Sequence, residues 1–168
     1  MKKATNWDTH TLVLMALLTA ILETSKMAMA AIPNVEPVTL LLIVYTLYFG
    51  WKTLLIVAVY ILLETMIWGF NVWVFMYLYI WPFLIFLVMK LKRWDSTITF
   101  SILAAAFGLF FGAMCALVYF FIGGFNMMIS WWISGIPFDI LHGISNFWMV
   151  FLLYKPVCKV MDHFLIKQ

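Results

Sequence analysis

The sequence predicts an all-α integral membrane protein, a single domain over residues 1–168 with six transmembrane helices and both termini in the cytoplasm. Three observations predict it. Hydrophobic residues make up 67% of the chain and charged residues 10%, where a soluble domain carries about 25% charged residues; the mean hydropathy is +1.08. The apolar residues gather into runs of membrane-crossing length. The basic residues fall almost wholly on alternate loops.

The apolar runs are 11–32, 38–49, 53–68, 72–89, 98–122 and 137–154. A spanning helix takes about 20 apolar residues, and four of the runs reach or approach that length. The first follows Lys2 and Lys3, and Ala28-Met29-Ala30 fits a signal-peptide cleavage pattern. Asp8 and His10 interrupt its start, and Glu23 and Lys26 sit late in it, so an uncleaved span is expected. The second and third runs are short. A single long helix would bury Lys52 in its middle, so Gly50-Trp51-Lys52 is expected to be a tight turn between two short helices, with five spans as the fallback. Pro137 is expected to open the sixth helix after an outer loop at 123–130. No internal repeat, low-complexity tract or linker divides the chain. Cys115 lies mid-span and Cys158 beyond the last span, so no disulfide is expected between them.

Orientation follows from the excess of Lys and Arg in cytoplasmic loops. With the amino terminus inside, Lys2, Lys3, Lys52, Lys90, Lys92, Arg93, Lys155, Lys159 and Lys167 all face the cytoplasm, nine of the 10 basic residues. The exception is Lys26. The outer segments 33–37, 69–71 and 123–130 contain no Lys or Arg. The formal charge of +3 is thereby explained by membrane anchoring, without nucleic acid.

The chain has no Gly-rich phosphate loop ending in Lys-Ser/Thr, no His-Glu-x-x-His, no paired cysteines and no Gly-x-Ser-x-Gly. No enzyme activity, cofactor or metal site is therefore expected. Active transport by this protein would need energy from another subunit.

Ionisable side chains within a membrane are costly and mark function by default. Here they are Glu23, Lys26, Glu64, Asp139 and His142, with Asn146 as a polar neighbour. In the expected topology three separate helices deliver them to one depth near the outer surface, and the spacing 139, 142, 146 puts the last three on one helical face. Each has a plainer reading. Glu23 and Lys26 are three apart and can neutralise one another, and Lys26 can snorkel outward. Asp139 suits a helix amino terminus. His142 and Asn146 can join helices by hydrogen bonds. Glu64 has no cation near it in sequence. One pocket accounts for all of them together, with Trp68, Asn71 and Trp132 at its outer rim. An aromatic belt accounts better for most of the tryptophans. Ala16 and Ala20 on the first helix, and Gly108 and Gly112 on the fifth, form small-xxx-small pairs that let helices approach closely.

Two segments, Ala31-Ile32-Pro33-Asn34-Val35-Glu36-Pro37-Val38-Thr39 and Gly135-Ile136-Pro137-Phe138-Asp139-Ile140-Leu141-His142-Gly143-Ile144-Ser145-Asn146-Phe147, resemble the substrate-binding S components of energy-coupling factor (ECF) transporters. Length, span number, charge pattern and the closing Lys155-Pro156 extend the resemblance over the chain. It implies a multi-pass protein of a prokaryotic cell membrane that captures a vitamin or related micronutrient in an outward-facing pocket. It implies as partners a transmembrane coupling subunit, contacted by an Ala-xxx-Ala face matched by Ala16 and Ala20, and two cytoplasmic ATPases. The substrate does not follow from it. Glu64, Asp139, His142, Asn146 and tryptophan suit a cationic heteroaromatic vitamin such as thiamine; an inward-pointing Lys26 would suit an anionic or zwitterionic solute. Two alternatives remain at this stage: a scaffold of the cell-shape type with a similar fold, and an intramembrane enzyme using Asp139 and His142 as acid and base.

Overall fold

The computed structural model describes residues 9–32 and 34–166, with the backbone alone for 164–166. Lys2, Lys3, Asp8, Pro33 and Lys167, and with them the chain ends, lie outside the described residues. Among the described residues all regular structure is helical: α1 (Thr9–Ala28), α2 (Val38–Phe49), α3 (Thr53–Trp68), α4 (Val72–Leu91), α5 (Thr97–Leu109) and α6 (Phe111–Ile166). Four continuous helical stretches are long and apolar enough to cross a membrane: Thr9–Ala28, Val38–Trp68, Val72–Trp94 and Thr97–His163.

The last stretch folds back on itself. Helical geometry fails at Gly123 and Gly124, and Gly124 has φ 78, a left-handed value that glycine adopts without steric penalty. On either side the limbs pair antiparallel. Tyr119 stacks on Trp131 at 4.9 Å between ring centroids, Gly112 faces Asp139, and Gly108 lies against the backbone of His142 and Gly143. Two glycines thus turn the chain, in place of the loop expected over 123–130. Pro137 correspondingly lies inside the returning limb rather than at its start. α1 likewise stops at Ala28, short of the expected Ile32.

Side-chain partners fix the direction of each limb. α1 and α3 bring their carboxy-terminal ends together through Lys26 and Glu64. α2 runs the other way, starting beside Asn146 at Thr39 and ending with Tyr48 bonded to Asp162. α4 packs Trp81 against Tyr60 and brings Met89 next to Gly50. α5 begins near Tyr154 and leads to Phe111 beside His142. Among the described residues six helical limbs alternate in direction. At one end lie Lys26, Glu64 and His142; the other carries Lys52, Lys90, Lys92 and Arg93 at the α2–α3 and α4–α5 junctions, and Lys155 and Lys159 within the last limb.

α2 is the centre of the bundle, with all 12 of its residues buried. A helix apolar on every side belongs inside, which explains its composition. Its length of about 18 Å at 1.5 Å per residue falls short of a bilayer's ~30 Å core, but its neighbours and not lipid surround it. Its tyrosines find acceptors on neighbouring helices: Tyr45 donates to the Leu18 carbonyl at 3.2 Å and Tyr48 to the Cys158 carbonyl at 2.9 Å. The exterior is apolar instead, with Leu12, Val13 and Leu17 of α1, Leu62 and Met66 of α3, and Phe121 all exposed. Such a surface suits lipid and not water. Ala16 and Ala20 lie on that exposed face of α1.

Candidate binding pocket

A cavity of about 330 Å³ opens at the Lys26 end of the bundle. Lys26 of α1, Tyr60 of α3, Tyr77 and Trp81 of α4, and Phe111 and His142 of α6 form its walls, and residues of the α1–α2 connection, including Asn34, Val35 and Glu36, complete them. The volume is at the lower end of the ~300–1,000 Å³ typical of small-molecule sites.

One side is aromatic. Tyr60 stacks against Tyr77 with centroids 6.2 Å apart, Trp81 stands edge-on to Tyr77 at 5.4 Å, and Phe111 lies 5.7 Å from Trp81. Tyr77 and Trp81 are four apart, so one helical face presents both. Phe111 also meets the His142 ring at 5.0 Å, joining this wall to the polar one.

The polar side holds two paired carboxylates. The Lys26 ammonium donates to both Glu64 oxygens at 2.5 Å and lies 5.5 Å from the centre of the Trp68 ring. The Glu64 side chain is 3% exposed and that of Lys26 22%. Glu23, next to Lys26 on α1 and close to Glu64, is buried, and its oxygens accept no hydrogen bond from the described residues. Glu36 serves a different end. Its carboxylate accepts from the Val38 N–H, from the Thr39 N–H at 3.3 Å and from the Thr39 hydroxyl at 2.8 Å, an anion at the positive end of α2.

The last limb clasps this segment. His142 Nε2 is 3.4 Å from Glu36 Oε1, the Ser145 hydroxyl donates to the Asn34 carbonyl at 2.7 Å, and the Asn146 amide donates to the Thr39 hydroxyl at 3.3 Å. The two sequence segments around 31–39 and 135–147 therefore meet in space. Replacing Glu36 by alanine strips the first turn of α2 of its acceptor and is expected to cost about 1 kcal/mol, as for loss of a helix cap. Thermal unfolding of the purified protein in detergent measures it; an unchanged curve would remove Glu36 from the scaffold of the site.

Of the residues singled out from sequence, Lys26 and His142 line the cavity. Glu64 and Trp68 reach it only through Lys26, and Asn146 only through the Thr39 hydroxyl that donates to Glu36 of the wall. Glu23 stands behind the Lys26–Glu64 pair, and Lys26 pairs with Glu64 rather than with Glu23. Asp139 faces away, accepting from the Gly112 N–H at 2.8 Å. Asn71 starts α4, its side chain accepting from the Val72 N–H at 2.6 Å, and Trp132 lies outside the cavity wall. Sequence reasoning passed over Glu36, Tyr60, Tyr77, Trp81 and Phe111. The four-residue spacings from Tyr60 to Glu64 and from Tyr77 to Trp81 were the available signal. The chain matches no protein-family model, no curated protein and no solved structure.

Proposed function

We propose that this protein is the solute-capturing subunit of an ECF-type importer, an S component for a vitamin or related micronutrient. In this proposal the six limbs span a prokaryotic cell membrane, the cavity faces outward, and both termini and the lysine-bearing junctions face the cytoplasm. The observation that carries it is the cavity itself: a lysine, a carboxylate, a histidine and four aromatic rings converge at the end of an apolar bundle opposite its basic junctions. Polar groups gathered inside such a bundle are expensive unless they serve a ligand or a path through the membrane. The two segments with S-component resemblance meet at this cavity, which supports the same assignment.

Energy would come from two cytoplasmic ATPases through a transmembrane coupling subunit, docked on the exposed Ala16 and Ala20 face of α1. A vitamin panel tested by thermal stabilisation checks capture, since a ligand at 100 times its Kd adds about 2.7 kcal/mol. Co-purification with the coupling subunit and ATPases checks assembly. Failure of both would sink the proposal and favour a scaffold. Replacing Ala16 and Ala20 together by leucine is expected to abolish co-purification while leaving ligand stabilisation intact. Loss of both at once would mean that this face supports the fold and not a partner.

A further inference from the structure

We infer that the captured solute is a flat, ring-bearing molecule, uncharged or anionic, that brings a hydrogen-bond acceptor to Lys26; this rests on the solute-capture proposal and names its substrate class. The unmet hydrogen-bonding capacity of the cavity wall points to it.

The carboxylates at the cavity already have donors. Both oxygens of Glu36 already serve the first turn of α2, and His142 stands 3.4 Å from one of them. The Asn34 carbonyl takes the Ser145 hydroxyl. Glu64, off the wall, accepts the Lys26 ammonium on both oxygens. A donor is left over. An ammonium has three N–H donors, and two from Lys26 point to Glu64, while Lys26 itself lines the cavity. A hydrogen bond to a charged group contributes about 1.5–3 kcal/mol, so a ligand that supplies an acceptor to the ammonium gains by it.

Shape gives the rest. Tyr60, Tyr77, Trp81 and Phe111 offer ring faces and edges to a cavity of about 330 Å³, and planar rings pack on such surfaces in stacked or edge-to-face contact. Two carboxylates favour the opposite charge, a cation: Glu23, which does not line the cavity, and Glu36, which does but is turned to the positive end of α2. Lys26 also lines the cavity and would repel a cation.

The test uses the full chain in detergent and matched probes: nicotinamide, nicotinate and pterin-6-carboxylate against the cations 1-methylnicotinamide and thiamine. Thermal stabilisation and tryptophan fluorescence report binding. At least one of the first three is expected to bind and neither cation to do so. Trp81→Leu removes a ring from the wall and should weaken binding at least about tenfold, the loss of one ring contact. Lys26→Met combined with Glu64→Gln removes the ammonium without stranding a carboxylate, and should do the same. Binding of the cations alone would overturn the inference and leave solute capture standing, as would unchanged affinity in both variants. No binding by any probe would overturn the inference, and the co-purification result would then decide separately whether the capture proposal falls with it.

Discussion

Replacing Gly108 by valine is expected to keep the last two limbs from closing and to cost about 3 kcal/mol or more, the upper range for overpacking a tight contact. A Cβ at Gly108 would stand 2.8 Å from the Gly143 nitrogen and the His142 carbonyl carbon. Those atoms are backbone and cannot rotate away. Gly143 meets the same crossing from the other side, where an added Cβ would lie 2.6 Å from Leu109 Cγ and 3.0 Å from the Ala105 carbonyl oxygen. Because His142 is part of the crossing, separating the limbs also shifts a wall of the cavity. Size-exclusion profiles and thermal unfolding in detergent should show a large loss, and ligand binding should fail even in the fraction that stays folded. A variant with normal stability would mean that the limbs can pack at a greater distance than the structure shows.

The second large effect is expected from Lys26→Met. Glu64 is 2% exposed, and removing its cation leaves a buried carboxylate beside Glu23 with nothing to balance it. Breaking a buried ion pair in this one-sided way costs about 3–5 kcal/mol. Adding Glu64→Gln should recover most of that loss, because the pair is then neutral on both sides. The double-mutant cycle in thermal unfolding gives the coupling directly. Additive effects of the two substitutions would show that Lys26 and Glu64 do not depend on each other.

The helices were legible in the sequence because each limb is an apolar run between basic or turn-forming residues. The orientation of the bundle was legible as an expectation because lysines mark one set of junctions. Gly108 and Gly112 were legible as a close-packing face, and they do lie against the returning limb. The pairing inside the site was not. Lys26 and Glu64 are 38 residues apart, so Lys26 was weighed against Glu23, its neighbour by helical spacing. Asp139 shares a helical face with His142, yet its carboxylate turns to a backbone N–H near the irregular residue Phe110, a local geometry that spacing cannot reveal. The aromatic wall was hidden by abundance. With 16 Phe, 9 Trp and 7 Tyr in the chain, which rings face a cavity depends on how the limbs rotate against one another. Glu36 looked like part of a loop motif until α2 was seen to start on it.

The contacts of His142, Ser145 and Asn146 with the 34–39 segment span 106 to 111 residues of chain. During synthesis the chain emerges from its amino-terminal side, so the segment around Glu36 enters the membrane long before its partners are translated. Until the final limb is made, α2 has its first turn capped by Glu36 but nothing holding Glu36 from the other side. The cavity is therefore among the last features to come into being. A ribosome stalled before residue 142 would leave a chain with most of its helices and no site. Quality control that samples the nascent protein at that stage would meet an apolar bundle that cannot yet bind anything.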